Sequence, residues 1–304
     1  MRSEPITRKR SQFYLLIKEN RNGGLNLYAT KLTGILIECF HFNFWRVSPK
    51  KWEETKNPNI GNLWIPADKM HHVDVDALET WARMANNFIW LEFGENLLPC
   101  FSGDELVCRV ATDFNFAIDS NDELVHDTHN NLVRSELGEA EYQLKYRGQY
   151  LNNEEKTLFF NRMGLALLSA FDQLPLRILN SYPPIISPIP AQANGEFKLA
   201  WTLAKYVANQ RNLAFLEPLL KIAKPQIKQL PIEQKISAWK EIFANKNALS
   251  LESSAVIGKS VVIVDDLYQS GATMWAYAEH LKRLGAKNVF GLVCVKSMSD
   301  KDNP

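Results

Sequence analysis

The sequence predicts an α/β protein in which a parallel sheet flanked by helices follows a separate N-terminal α+β domain. The run from Ser260 to Val264 is apolar and mostly β-branched, as expected for a strand buried on both faces of a parallel sheet. A helical pattern over about 272–284 comes next, and Gly285 is a natural stop for it. A second apolar strand over 288–295 completes a βαβ unit. Open sheets of this kind bind ligands at the carboxyl ends of their strands.

The composition is that of an ordinary folded protein. With 46% hydrophobic and 23% charged residues, the chain of 304 residues is not disordered, collagen-like or of low complexity. Its length suggests about two domains, or one large one. The 35 Lys and Arg residues nearly cancel the 34 Asp and Glu residues, which leaves a net charge of +1. This balance argues against binding nucleic acid or an anionic membrane by bulk charge, although a local basic patch stays open.

The cysteine pattern and the lengths of the apolar runs indicate the cellular compartment in which the protein is expected. The four cysteines form no CxxC pair, which argues against a disulfide scaffold and against a zinc ribbon. The charged start is followed by only a short apolar stretch, Phe13 to Ile17, which makes a poor signal peptide. No run approaches the roughly 18 apolar residues that a membrane-spanning helix requires. We therefore expect a soluble cytoplasmic protein without a membrane partner.

Residues 1–130 differ in character from the rest of the chain. They hold five of the eight Trp residues, short strand-like runs such as Gly34 to Phe40, and a helical pattern from Val75 to Trp90. A polar stretch between Asp119 and Asn131 predicts the boundary. We expect an N-terminal domain of unknown role over 1–130 and a second domain over 131–304 that carries the chemistry.

Beyond the boundary the pattern alternates between helix and strand. We expect helices over 136–146, 154–171 and 196–209, a strand over 184–189 and a short strand over 213–216. The stretch 221–246 contains six Lys, and its second half has apolar residues at helical spacing. This favours an amphipathic helix with a solvated face, and a lid over a ligand site or a nucleic-acid surface are the alternatives.

The segment Val261 to Thr273 contains the residues that indicate which kind of ligand the protein binds. Asp265 and Asp266 leave the end of the buried strand, and the run Ser270 to Thr273 leads into the next helix. Gly271 permits a tight turn, and the unpaired N–H groups at the start of a helix suit a phosphate. The run adds two hydroxyl donors, while the two carboxylates suit the vicinal hydroxyls of a sugar. The pattern predicts a pocket for a ribose 5-phosphate.

Other nucleotide and phosphate loops fit this segment less well. A Walker loop needs Gly-Lys-Ser/Thr after its glycines, and the chain has none; no GxGxxG follows a strand either. A receiver domain also starts with a strand and two acids, but it needs about 100 further residues. Only 39 residues follow Asp265. A plain strand–turn–helix junction with a capping Thr is the remaining alternative, and it accounts for neither the two acids nor the Ser-Gly-Ala-Thr run.

Residues 261–273 resemble the phosphoribosyl diphosphate (PRPP) signature of the type I phosphoribosyltransferases, and the nearest branch is the ComF-like competence family. The resemblance covers roughly 136–298. Outside the loop it rests on Tyr142 to Gly148, on Ile185 to Pro190 with the helix that follows, and on the spacing of Leu230, Lys235 and Phe243. It implies a type I phosphoribosyltransferase-like fold, a parallel sheet flanked by helices.

The resemblance also implies roles for individual residues. Asp265 and Asp266 would hold the ribose hydroxyls and are the catalytic candidates. The 5-phosphate would be cradled by Gln269, Ser270, Gly271, Ala272 and Thr273. A diphosphate loop would fall at Ser187, Pro188 and Ile189, and a lid at Lys224, Lys228 and Lys235. Members of the family use Mg²⁺ together with PRPP, and no metal site made of protein ligands is expected.

The expected function is Mg²⁺-dependent transfer of phosphoribose from PRPP to an unidentified nitrogen acceptor, by an enzyme of the glycosyltransferase class. The alternative is a non-catalytic protein that senses PRPP or a related ribose phosphate, or that keeps a vestigial site, and works through partners. DNA uptake or processing is the family-level example of such a role. Many members of the family dimerise, so a homodimer is one alternative for this chain.

Three departures from the family bear on this choice. The N-terminal part lacks the four-cysteine zinc ribbon of ComF-like proteins. The loop from Ser187 to Gly195 contains no Lys or Arg, so backbone N–H groups or the lid lysines would have to bind the diphosphate. Gln269 stands where purine-salvage relatives carry a carboxylate proposed as the base. This favours an acceptor that needs no deprotonation.

Two groups of histidines are candidate metal sites. His71 and His72 lie near Asp74 and Asp76, and His126 lies three residues before His129. Consecutive residues of a strand or loop point in alternate directions, and the second pair lies in a polar stretch. We expect a solvated turn for the first group and a loop for the second.

Overall fold

The computed structural model describes residues 4–8, 10–91, 106–119, 123–177, 179, 181–192, 198–222, 227, 230–245 and 247–298. The chain divides into two units. The first consists of Met1–Leu91 and Arg177–Asn180, and the second of Glu92–Leu176 and Ser181–Pro304.

The first unit is built on an antiparallel sheet in the order β1-β2-β3-β5-β4. Its strands are β1 (Ile6–Thr7), β2 (Tyr14–Glu19), β3 (Leu25–Thr30), β4 (Trp52–Glu54) and β5 (Ile60–Ile65), and a further short strand is β6 (Ile89–Trp90). Its α-helices are α1 (Lys31–Phe40), α2 (Phe42–Val47) and α3 (Val75–Ala85). Alternate residues of β3 are buried, among them Leu25, Leu27 and Ala29. This period of two is the pattern of a strand with one face on the core.

Two expectations for this unit were wrong. The run from Gly34 to Phe40 is not a strand but the main part of α1, because the side chain of Thr30 caps the helix at the N–H of Thr33. The helix expected to reach Trp90 ends at Ala85. Asn86 and Asn87 follow it, and residues of this type compete with the helix for backbone hydrogen bonds.

The second unit contains the remaining elements. Its strands are β7 (Leu106–Phe114), β8 (Ile185–Pro188), β9 (Ala191–Gln192), β10 (Ala214–Phe215), β11 (Leu219–Leu220), β12 (Leu249–Ser250), β13 (Val261–Tyr268) and β14 (Val289–Lys296). Its α-helices are α4 (Glu136–Tyr146), α5 (Asn153–Phe171), α6 (Leu199–Gln210), α7 (Ile232–Ala244) and α8 (Ala272–Arg283). Strands β10, β8, β13, β14 and β7 are neighbours in that order, and every pair among them is parallel. Strands β12, β11 and β9 form a separate small sheet.

The boundary between the units does not lie at residue 130, where the sequence predicts it, because β7 belongs to the second unit. This strand pairs in parallel with β14, with Ala111 opposite Val293, so it belongs to the second unit. Composition alone missed it, because Arg109 and Asp113 interrupt its apolar run. Arg109 is nevertheless buried within the sheet, at 3% exposed.

The helices of the second unit begin where the sequence offers caps. The hydroxyl of Ser135 accepts a hydrogen bond from the N–H of Gly138 at the start of α4. Asn152 and Glu155 form a capping box at the start of α5. The bounds of α4, α5 and α8 confirm the helices expected there, and α6 begins three residues later than expected. None of the helices formed by the described residues combines the length and apolar character needed to cross a membrane.

Helix α7 is the second half of the basic stretch, and it packs against α8. Trp239 is fully buried and stacks on Phe243, with 5.3 Å between ring centroids. Phe243 in turn lies against Tyr277 and His280 of α8. The amphipathic-helix interpretation of this stretch is therefore confirmed over 232–244.

Candidate functional site

The two acidic residues of the loop lie inside β13 rather than after it. Strand β13 runs on to Tyr268, because β14 continues beside it and pairs Tyr268 with Lys296. Asp265 is partly exposed, whereas Asp266 is only 8% exposed. Both lie near the carboxyl end of a strand whose first four residues, 261–264, are completely buried. This is the edge of a parallel sheet at which ligands bind.

The turn after β13 requires glycine at position 271 for two reasons. Gly271 has φ +75° and ψ 0°, a left-handed conformation that side chains disfavour. A Cβ at this position would also lie 2.1 Å from the hydroxyl oxygen of Tyr268. Helix α8 starts directly afterwards, and its N-cap residue, Gly271, has no side chain that could cap the first turn. The unpaired N–H groups of that turn and the positive end of the helix dipole make an anion site chemically feasible.

The structure brings a lysine to the acidic pair. Nζ of Lys145, near the end of α4, lies 3.1 Å from Oδ2 of Asp266 and 3.2 Å from Oε1 of Glu141. Glu141 and Lys145 are four residues apart on one helix, a spacing that places their side chains together. Glu141 is only 3% exposed, so both carboxylates stand largely outside bulk water, whereas the Lys145 side chain is 34% exposed.

Burial and the charge of neighbouring groups have opposite effects on the pKa values in this cluster. Burial favours the neutral amine of Lys145, but the carboxylates of Asp266 and Glu141 outweigh it and raise the pKa of Lys145. Burial raises the pKa of Glu141; the charge of Lys145 opposes this and that of Asp266 adds to it. Lys145 is therefore a cation at neutral pH, held between two carboxyl groups.

Backbone groups orient both carboxylates of the pair. The N–H of Asp266 donates to Oδ1 of Asp265 at 2.9 Å, and the N–H of Leu267 donates to Oδ1 of Asp266 at 2.9 Å. Each oxygen of Asp266 thus has one partner already, the N–H of Leu267 or the ammonium of Lys145. A carboxylate has about four lone-pair sites, so a sugar hydroxyl can still donate to it.

Of the residues expected to form a diphosphate loop, Ser187 and Pro188 are the last two of β8, and Ile189 directly follows the strand. The hydroxyl of Ser187 is 2.9 Å from that of Tyr277, and both are buried. Pro188 carries no N–H, and the N–H of Ile189 donates to the carbonyl of Val264. The polar groups of Ser187 and Ile189 therefore already have partners within the fold. Residues 193–197, later in the same loop, lie outside the described part of the chain.

The expected lid is described only in part. Lys224 and Lys228 lie outside the described residues. Lys235 lies on α7, the helix packed against α8. On the same helix, Nζ of Lys240 lies 3.1 Å from a carboxylate oxygen of Glu279 and 4.6 Å from the ring centroid of Trp275. A lid role for the three lysines stays a prediction.

The weaker candidates are also located. His71 and His72 end a short 3-10 helix over Ala67–His72, with their rings 3.9 Å apart. Within the described ranges, no three or more His, Cys, Asp or Glu side chains are grouped so that they could hold a metal ion. Asp265 and Asp266 supply only two carboxylates. Two carboxylates bind Mg²⁺ well only when a substrate provides further oxygen ligands.

Sequence reasoning assigned a role to neither Glu141 nor Lys145, and of the two it is Lys145 that contacts Asp266. It lies within the segment Tyr142 to Gly148, which contributed to the family resemblance, but nothing in the sequence connects it to Asp266. The spacing of Glu141 and Lys145 is a signal for an ion pair on one helix face. That α4 packs on β7 and β14, which brings Lys145 within reach of Asp266 on the neighbouring β13, is a property of the folded chain.

Comparison with protein-family models gives a match over the last part of the chain. Residues 223–304 match the family model described as phosphoribosyl transferase domain. The matched range contains β13, the turn at Gly271, α8 and β14, and hence both acidic residues. A search of curated proteins finds no match. The family match agrees with the class of chemistry that the loop predicts, phosphoribosyl transfer in general.

Proposed function

We propose that the chain binds PRPP at the turn between β13 and α8 and transfers its phosphoribosyl group to a nitrogen acceptor. One observation carries this proposal: Asp265 and Asp266 lie near the carboxyl end of a buried parallel strand, directly before a turn and a helix whose N-cap residue is Gly271. The phosphoribosyl transferase match covers all of these elements.

Each group of the substrate has a matching partner in this arrangement. The vicinal ribose hydroxyls donate to the carboxylates of Asp265 and Asp266. The 5-phosphate accepts hydrogen bonds from the N–H groups at the start of α8 and from the hydroxyls of Ser270 and Thr273. Ser270 is nearly buried, at 7% exposed, which reduces the competition from water for these hydrogen bonds.

In this proposal Mg²⁺ binds together with the substrate PRPP. Oxygens of PRPP together with the carboxylate of Asp265 make a donor set of the kind that Mg²⁺ prefers, since this ion is usually held by one or two carboxylates and by phosphates. When bound, the ion stabilises negative charge on the leaving diphosphate.

The reaction breaks the bond between the anomeric carbon and the diphosphate oxygen, and it forms a bond from that carbon to nitrogen. Positive charge develops on the ribose in between, and the carboxylates of Asp265 and Asp266 stabilise it electrostatically. Gln269 has an amide, which does not act as a base at neutral pH. We therefore propose an acceptor nitrogen that attacks without prior deprotonation.

A non-catalytic PRPP sensor is the second candidate, and one observation favours it. Ser187 and Ile189, which would face the diphosphate in the family, have their polar groups bonded to Tyr277 and Val264. Such a site would bind the ribose and its 5-phosphate without activating the leaving group. A ComF-like role in DNA uptake or processing belongs to this second proposal.

Release of diphosphate from PRPP separates the two candidates. The wild type is incubated with PRPP, Mg²⁺ and a panel of nitrogen acceptors, beside Asp265→Asn/Asp266→Asn and the surface control Asp172→Asn. Acceptor-dependent release by the wild type and the control, but not by the double variant, supports the transferase. Tight binding of PRPP without release for any acceptor supports the sensor.

A further inference from the structure

The carboxylate of Asp266 is held at both of its oxygens. Oδ1 accepts a hydrogen bond from the N–H of Leu267 at 2.9 Å, and Oδ2 lies 3.1 Å from the ammonium nitrogen of Lys145. Rotation of the carboxylate about its last side-chain bond would break both contacts. The side chain of Asp266 is only 12% exposed, so water does not readily replace either partner. One donor from the backbone and one from α4 therefore set the orientation of this carboxylate.

Lys145 is in turn held from its other side. Its ammonium nitrogen lies 3.2 Å from Oε1 of Glu141, which is one turn earlier on α4 and only 3% exposed. An ammonium group has three donors, and the carboxylates of Glu141 and Asp266 each take one. The helix thus presents the cation to Asp266 at a fixed place.

The two acids of β13 need separate supports. Successive residues of a strand point to opposite faces of the sheet, so a group that orients the side chain of Asp266 does not orient that of Asp265 in the same way. Asp265 accepts a hydrogen bond from the N–H of Asp266, within the strand itself. Lys145 comes from a helix that packs on β7 and β14. The orientation of Asp266 can therefore be changed from α4 without altering the turn at Gly271.

A carboxylate that is already oriented is suited to recognising one particular hydroxyl. In the proposed complex the vicinal ribose hydroxyls donate to Asp265 and Asp266. Preorganisation increases affinity because less freedom is lost on binding. A site built to bond a hydroxyl also rejects an analogue that lacks it, since the polar group of the site is then left without its partner. The support of Asp266 by Lys145 should therefore act on the sugar hydroxyls and not on the 5-phosphate.

We infer that Lys145 is the positioning residue through which Asp266 selects ribose 5-phosphates over deoxyribose 5-phosphates. The inference rests on the proposed function, since it requires the sugar to lie at the carboxyl end of β13. Lys145 acts through the carboxylate of Asp266 and makes no bond to the sugar. A lysine that only stabilised the fold would leave the ratio of the affinities for the two sugars unchanged in the folded protein.

The test titrates ribose 5-phosphate and its 2-deoxy and 3-deoxy analogues into the wild type, Lys145→Met, Lys145→Arg and the surface control Lys205→Met. The wild type and the control should bind at least one deoxy analogue about tenfold more weakly than ribose 5-phosphate, since the lost hydrogen bond is a charged one. In Lys145→Met this penalty should fall to about threefold or less. Lys145→Arg should restore most of it, because a guanidinium also donates to a carboxylate.

A further variant, Glu141→Gln, controls for disturbance of the buried cluster. It removes a charge next to Lys145 but keeps an oxygen that accepts from the ammonium, so it should retain the penalty of the wild type. Each ratio compares ligands on the same folded protein, so a general loss of stability in Lys145→Met cancels. If that variant does not fold, Lys145→Gln replaces it under the same criterion.

The inference is overturned if the wild type shows no penalty for either analogue, if the penalty is the same in Lys145→Met, or if Glu141→Gln lowers it equally. When ribose 5-phosphate still binds, each of these results leaves the proposed PRPP site intact. Absence of binding of both ribose 5-phosphate and PRPP with Mg²⁺ by the folded wild type contradicts the proposed function, and the inference with it.

Discussion

The ammonium nitrogen of Lys145 lies 3.1 Å from the carboxylate of Asp266, so an ion pair joins α4 to the end of β13. Glu141 lies on the other side of the same ammonium, at 3.2 Å. Two carboxylic acids that are nearly excluded from water thus share one cation, and the geometry of the candidate ribose site depends on a helix far away in the sequence.

Removing this cation should destabilise the fold. Lys145→Met leaves Asp266 and Glu141 buried without their shared partner, and a buried charge without its counter-ion is costly. Because the Lys145 side chain is 34% exposed, we expect a loss of about 1–3 kcal/mol in the free energy of unfolding. Urea denaturation measures it, with Lys205→Met as the control. Equal stabilities of the two variants would show that the ion pair contributes nothing.

Glu141 should make the stability depend on pH. Burial raises its pKa above the ordinary value of 4.5, so the folded chain holds this proton more tightly than the unfolded chain does. A raised folded-state pKa gives a contribution that is fully present below the unfolded value and is lost as pH rises through the folded value. The unfolding free energy of the wild type minus that of Glu141→Gln should therefore fall as pH increases from about 4 to 7. A difference that is constant or increases over this range contradicts the assigned direction.

Gly271 and Gly258 form a matched pair for testing the turn. Both have a left-handed backbone, with φ of +75° and +69°, but a Cβ at Gly258 meets no atom within 4 Å. Gly258→Ala should cost about 1–2 kcal/mol, the price of the backbone conformation alone. Gly271→Ala adds the collision with Tyr268, so it should cost more and should also weaken PRPP binding. Thermal unfolding and calorimetry measure the two effects, and equal costs would exclude the collision.

The bond between Ser187 and Tyr277 should be structural. Ser187→Ala and Tyr277→Phe each remove one partner of a buried hydrogen bond, and each should lower the unfolding free energy by about 1 kcal/mol. Because both changes remove the same bond, the double variant should lose less than the sum of the single variants. Strict additivity would show that the two hydroxyls do not interact. Loss of PRPP binding by Ser187→Ala, with stability unchanged, would instead support its place in a diphosphate loop.

The sequence was sufficient where the information is local. The β-branched run of β13, the glycine turn and the start of α8 were all predicted, because strand burial, left-handed glycine and helix starts depend on adjacent residues. The extension of β13 through Asp265 and Asp266 was not predicted. It depends on hydrogen bonds to β14. The sequence pattern does not show these bonds, and its polar residues predict that the strand ends before them.

One of the features that were missed depends on a helix cap, and the others depend on contacts between segments distant in sequence. The run from Gly34 to Phe40 has the composition of a strand, but the cap at Thr30 makes it a helix. Strand β7 contains Arg109 and Asp113, and only its pairing with β14 reveals that it lies in the parallel sheet. The ion pair of Lys145 with Asp266 likewise requires α4 to pack on β7 and β14, and no spacing in the sequence encodes that packing.

Calorimetric titration of PRPP with Mg²⁺ tests the central claim most directly. The proteins are the wild type, the double variant Asp265→Asn/Asp266→Asn and the surface control Asp172→Asn, each checked for native circular dichroism. Micromolar affinity corresponds to about −8 kcal/mol, and each lost charged hydrogen bond to the ribose should cost about 1.5–3 kcal/mol. We predict saturable binding by the wild type and the control, and affinity at least about tenfold weaker in the double variant. Absence of binding by the folded wild type, or equal affinity in the double variant, would contradict a PRPP site at Asp265 and Asp266.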